Sequence, residues 1–130
     1  QKTFTSPGTD KALVIKKYKE TFHEVLGHAT TLWFANLGWE DEHAAQLALV
    51  LPHCHELDQL ILGSNHITAQ GAEALAAAAE GCPVRGMDLM GNPIEGADEG
   101  RIRRRWQGVG KVPGLLRMGV ALADFEEFSV

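Results

Sequence analysis

The sequence predicts an α/β solenoid: a small parallel sheet on the concave side, helices on the convex side, and a capping helix at the N-terminal end. Three observations predict it. Leu57, Leu60, Leu62, Asn65 and Ile67 recur 27 residues later as Val84, Met87, Leu89, Asn92 and Ile94, so both stretches read apolar-x-x-apolar-x-Leu-x-x-Asn-x-Ile. A more degenerate copy lies 28 residues upstream of the first, with Ala29, Leu32, Phe34 and Trp39 at the apolar positions. Each copy is followed by a helical segment in the same register: Ala44, Leu47 and Leu51, then Ala72, Leu75 and Ala79, then Glu99, Ile102 and Trp106. A fixed period in this range marks stacked supersecondary units, each burying its apolar face against the next.

The elements follow in order. Residues 1–9 are polar with Pro7-Gly8 and read as a flexible arm. Asp10 is a plausible N-cap for a helix over residues 10–27, whose Leu13, Val14, Tyr18, Phe22, Val25 and Leu26 fall near helical spacing and which Gly27 ends. That segment lacks the strand motif, so it serves as the cap an open array end needs. Three strand–helix units occupy residues 28–106, with strands centred on residues 32–34, 60–62 and 87–89 and helices over residues 40–51, 69–80 and 96–106. The crossovers are long enough for parallel pairing. The Ala-rich second helix has high helix propensity and small side chains that permit close packing. Gly81-Cys82-Pro83 stops it. Residues 107–130 read as a linker with Gly108, Gly110, Pro113 and Gly114, then a tail too apolar to be simply disordered.

This pattern resembles the leucine-rich repeat family. The long period and the segment Gly71-Ala72-Glu73-Ala74-Leu75 are similar to its ribonuclease-inhibitor-like subfamily, whose units are strand plus helix. The resemblance covers residues 26–106. It implies a protein that binds protein partners, since related arrays include cytosolic inhibitors, GTPase-activating proteins and innate immune receptors that share partner binding and no reaction. It also implies that Cys54 and Cys82, which are 28 residues apart and each precede a strand, are small buried core residues. Asn65 and Asn92 then satisfy backbone groups where the chain leaves the strand. Leu37 stands at the Asn position of the first unit and interrupts that ladder.

Composition narrows the function. The 130 residues make one domain-sized unit with a net charge of −5, which argues against nonspecific nucleic-acid binding. No apolar run approaches the ~20 residues that span a bilayer. Two cysteines are few for a disulfide-stapled secreted domain, so a reducing intracellular compartment is expected, cytoplasmic or organellar. Gln1 in place of Met reads as a processed product or a fragment, which leaves room for a targeting segment already removed.

Alternation along each strand selects the residues available to a partner. If the Leu positions point inward, three columns face the concave side: Thr31, Gln59, Gly86; Trp33, Ile61, Asp88; and Ala35, Gly63, Met90. Trp33, Ile61, Asp88 and Met90 are candidate protein-binding residues, because adjacent exposed apolar side chains mark interfaces and Trp is enriched at hot spots. Cover of Trp33 by the N-terminal helix or the tail is the competing reading. The tail residues Leu115, Leu116, Phe125 and Phe128 are further candidates, either capping the array or docking on a partner. Arg101, Arg103, Arg104 and Arg105 could engage an acidic surface; the bland alternative is a solvated helix end with Glu99 and Arg103 as an i, i+4 pair. Arg85 or this cluster would supply the arginine that a GTPase-activating role needs. His53-Cys54-His55 lacks metal-ligand spacing, no phosphate loop or nucleophile elbow is present, and no cofactor is expected. The sequence thus points to a noncatalytic accessory or scaffold subunit of a larger assembly, with a regulatory inhibitor or GTPase-activating protein as the alternative.

Overall fold

A computed structural model of the chain describes residues 3–5 and 27–119. Five strands form one sheet in sequence order with every neighbouring pair parallel: β1 (Thr3–Thr5), β2 (Thr31–Trp33), β3 (Gln59–Ile61), β4 (Gly86–Asp88) and β5 (Leu116–Arg117). Phe4, Leu32, Leu60, Met87 and Leu116 stand opposite one another across it. Three helices, α1 (Asp41–Val50), α2 (Ala69–Ala78) and α3 (Gly96–Gly108), follow β2, β3 and β4. Leu32, Leu60, Met87 and Leu116 bury their side chains with Leu47, Leu75, Ile102 and Trp106 from the helices, which makes one continuous core between sheet and helix layer.

The central units match the sequence expectation in type and order. The strands begin one residue earlier than expected, and short 3-10 turns over Leu51–His53 and Ala79–Gly81 close α1 and α2. The two ends differ. Residues 1–9 are not simply a loose arm, because Thr3–Thr5 pairs with β2. Residues 107–119 are not simply a linker: α3 runs to Gly108, a 3-10 turn spans Pro113–Leu115, and Leu116–Arg117 pairs with β4. The sheet therefore has an edge strand on each side of the three expected ones. The capping helix expected over residues 10–27 lies outside the described residues, save for Gly27 in a turn.

The strands are short, but their ladder continues past them. Phe34 and Asn36 donate to the carbonyls of Ile61 and Gly63, Leu62 and Ser64 to those of Asp88 and Met90, and Leu89 and Gly91 to those of Arg117 and Gly119. At this level each unit turns through a left-handed residue: Asn36 (φ 57°), Ser64 (φ 58°), Gly91 (φ 80°) and Gly119 (φ 111°). These stack directly, so that a Cβ on Gly91 would lie 3.1 Å from Ser64 Oγ. Only residues that tolerate positive φ suit the row.

One position later the Asn ladder forms. Asn65 Nδ2 donates to Phe34 O and Leu62 O, each at 2.9 Å, while its Oδ1 accepts the N–H groups of Leu37 (2.9 Å) and Trp39 (3.0 Å). Asn92 Nδ2 donates to Leu62 O (2.9 Å) and Leu89 O (3.0 Å), and its Oδ1 accepts Ile67 N–H at 3.0 Å. Leu37 offers no such group and packs partly buried against the core. The helix layer has its own link. Asp41, at the start of α1, accepts the Thr68 N–H (2.8 Å) and the Gly71 N–H (3.1 Å), so it caps α2 as well as opening its own helix. Gly71 leaves the room: a Cβ there would stand 2.4 Å from Asp41 Oδ1 and 2.9 Å from Ile67 Cγ2.

Candidate protein-binding face

Because Leu32, Leu60, Met87 and Leu116 turn into the core, the residues that follow them form a row on the other face of the sheet: Trp33, Ile61, Asp88 and Arg117. Trp33 is 48% exposed, although Trp39 and Trp106 are fully buried. Beside this row run Ala35, Gly63 and Met90. Trp33, Ile61 and Asp88 of the first row, the whole second row and Ser64 line an open depression of about 280 Å³. Its floor exists because position 63 carries no side chain; a Cβ there would approach the Met90 carbonyl oxygen to 3.1 Å. Asp88 sits on the rim half-buried, with Oδ1 accepting the Met90 N–H at 2.9 Å. The structure thus brings Trp33, Ile61, Asp88 and Met90 together.

The third expected column, Thr31, Gln59 and Gly86, is partly self-covered. The Gln59 amide lies across Gly86, where a Cβ would meet Gln59 Oε1 at 2.3 Å. Gln59 Nε2 also donates to Asp58 Oδ2 at 3.2 Å. Asp58 in turn holds Arg85 through a two-point contact, with Nε to Oδ1 and with Nη2 to Oδ2 at 3.2 Å. The Arg85 guanidinium pulls the Asp58 carboxyl below its usual range, and the carboxylate raises Arg85 reciprocally.

The arginine cluster does not act as one patch. Arg101 pairs with Glu73 of α2 at 2.9 Å and with Asp98 at 3.1 Å. Arg105 reaches Glu73 more distantly, at 4.0 Å. Arg103 does not turn to Glu99; its Nη1 donates to Pro113 O and Leu116 O, both at 2.7 Å. Arg103 therefore clamps the approach to β5, which removes it from the partner-binding candidates. Trp106 Nε1 assists by donating to Val112 O at 2.8 Å. Arg104 is exposed on the same helix. Of the tail candidates, Leu116 is 1% exposed and belongs to the core, because the strand alternation that frees Arg117 points Leu116 inward. Leu115 is 44% exposed, while Phe125 and Phe128 lie outside the described residues.

The histidines and cysteines separate. Cys54 and Cys82 are buried free thiols, and burial pushes the Cys54 thiol up to about 12, with neighbouring Cys82 adding to the effect. His53 and His55 are exposed on either side of Cys54. Elsewhere Glu40, Glu42 and His43 bring potential ligand atoms within 4.8 Å of one another. His43 Nδ1 is already taken by the Glu40 N–H at 2.9 Å, and its ring stacks on Trp39 at 6.0 Å, so Glu40 and His43 form the capping box that opens α1. Sequence reasoning missed Arg117 and Ser64 on the open face. Their signals were the 29-residue step from Met87-Asp88 to Leu116-Arg117 and the matching Asn36 and Gly91 turns.

Comparison with known proteins bears on the fold. No family model matches the sequence, and no curated protein matches it. Among solved structures, "Leiomodin-1 Actin-Binding Site 2 (ABS2)" is similar, with a TM-score of 0.64 and 20% identity over 98% of this chain and 75% of that one. At that identity the likeness establishes a shared α/β architecture. Among the described residues no helix is long and apolar enough to cross a membrane.

Proposed function

We propose that this chain is a noncatalytic protein-interaction module, a short leucine-rich repeat array of the ribonuclease-inhibitor-like kind that serves as an accessory or scaffold subunit of a larger assembly. The observation that carries the reading is Trp33, a large aromatic side chain held 48% exposed beside a formed depression while the other two tryptophans are buried. Exposed aromatics in a preformed cup are the usual anchors of protein interfaces. The sequential parallel strands, the stacked left-handed turns and the Asn ladder support the repeat assignment. The similar solved structure is described as an actin-binding site, which supports a protein as the kind of partner this fold engages. The GTPase-activating alternative has less support, since Arg85 is committed to Asp58 and Arg101 to Glu73 and Asp98.

The test is Trp33→Asp. Partners that co-purify with the wild-type chain, identified by mass spectrometry, should be lost or weakened by about 30-fold or more, the scale of a ~2 kcal/mol hot spot. Circular dichroism should not change, because Trp33 stands outside the core. Undiminished binding by the folded variant would remove the open face from the account.

A further inference from the structure

We propose that the depression on the open face receives a single cationic side chain, an arginine, presented by the partner protein. The inference rests on the reading of this face as a binding surface and specifies what it binds. At about 280 Å³ the depression falls just below the range of small-molecule pockets and has room for one long side chain. Its chemistry is divided. Trp33 lines it on the β2 side with an exposed indole. Ile61 of the central strand offers apolar surface between them, and Asp88 and Met90 line the β4 side. An arginine suits this lining, because its apolar stem can pack on Trp33 and Ile61 while its planar cation forks to the Asp88 carboxylate. Among the described residues Asp88 is engaged through Oδ1, by the Met90 N–H, so the carboxylate retains acceptor capacity. A purely apolar ligand would desolvate the remaining acceptor sites of that half-buried carboxylate without pairing them, which is unfavourable.

Charge complementarity at longer range agrees. The chain carries a net charge of −5, which attracts a basic partner surface. The one opposing group in the row is Arg117, exposed and in register beside Asp88. It would compete for the same carboxylate and so weaken, without abolishing, the site.

The test uses short capped peptides, Gly-Arg-Gly and its citrulline counterpart, titrated into the full chain while the three indole N–H signals are followed by NMR. Trp39 and Trp106 are buried and report the fold; Trp33 reports the site. The arginine peptide should move the Trp33 signal saturably, and the uncharged citrulline peptide should bind about tenfold more weakly. Asp88→Asn should cost a similar factor with the Trp39 and Trp106 signals in place, and Arg117→Ala should strengthen binding. Equal shifts from both peptides, no shift from either, or full binding by Asp88→Asn would each overturn the proposal. A natural partner that depends on Trp33 but not on Asp88 would likewise overturn the cation while leaving the face intact. A partner indifferent to both would remove the face itself.

Discussion

Replacing Asn65 by Ala should destabilise the fold more than replacing Asn92, although the two occupy equivalent positions. Asn65 is buried and its Oδ1 accepts two backbone N–H groups, from Leu37 and Trp39, whereas Asn92 Oδ1 accepts one, from Ile67. An unsatisfied buried donor costs about 1–3 kcal/mol, so Asn65→Ala, which orphans two, should lose roughly 2–6 kcal/mol and Asn92→Ala, which orphans one, roughly 1–3. The lower half of each range is the safer expectation where water can enter. The two side chains also share an acceptor, since both Nδ2 groups donate to Leu62 O at 2.9 Å. Either single variant leaves that carbonyl one donor. Only the double variant strips both, so the pair should show a coupling of about 1 kcal/mol beyond additivity. Urea unfolding followed by circular dichroism measures all three variants, with an unchanged slope confirming that the native and unfolded states remain comparable. The reasoning fails if Asn92→Ala costs as much as Asn65→Ala, or if the double variant is additive within about 0.5 kcal/mol.

Other consequences can be measured on the same protein. Burial raises the Cys54 thiol from an ordinary value of about 9 to about 12, so the native state keeps its proton over a range in which the unfolded state loses it. The associated stability should be intact below about pH 9 and decline as pH rises towards about 12. At pH 8 a thiol reagent should modify Cys54 only as fast as the chain opens; modification at the rate of a free thiol would refute its burial. Arg103→Ala should release the lead-in to β5, because it removes both carbonyl contacts at Pro113 and Leu116. The expected cost is about 1.5–3 kcal/mol, the range for charged hydrogen bonds. Amide exchange should accelerate at Leu115, which bonds Val112 O, while β3 stays protected; unchanged exchange at Leu115 would show that Arg103 does not hold this segment.

Much of the architecture was legible in the sequence because the repeat writes it down several times. Apolar spacing at Leu57, Leu60 and Leu62 identified the inward side of β3, and therefore Trp33, Ile61 and Asp88 as its outward row. The recurrent Asn marked a side chain that must serve backbone rather than chemistry, which the bonds to Phe34, Leu62 and Leu89 agree with. The two edge strands were not legible. Thr3–Thr5 and Leu116–Arg117 are only three and two residues long, and their pairing depends on a neighbour already in place. The three central strands are just as short, but the repeated apolar and Asn positions around them mark them, whereas the edge strands lack the full motif and leave no such mark.

The arginines show the same division. Sequence placed Arg101, Arg103, Arg104 and Arg105 on one helix and allowed a common patch. Tertiary packing set their partners, giving Arg101 to Glu73 of the preceding helix and Arg103 to the carbonyls ahead of β5. Those partners lie 28 residues before Arg101 and 10 and 13 residues after Arg103. The sequence by itself determined the period, the inward-facing residues and the outward row, since these follow from short-range alternation repeated in register. Only the tertiary structure decided the edge strands, the depression beside Trp33 and which charges remain available, since each depends on how neighbouring units stack.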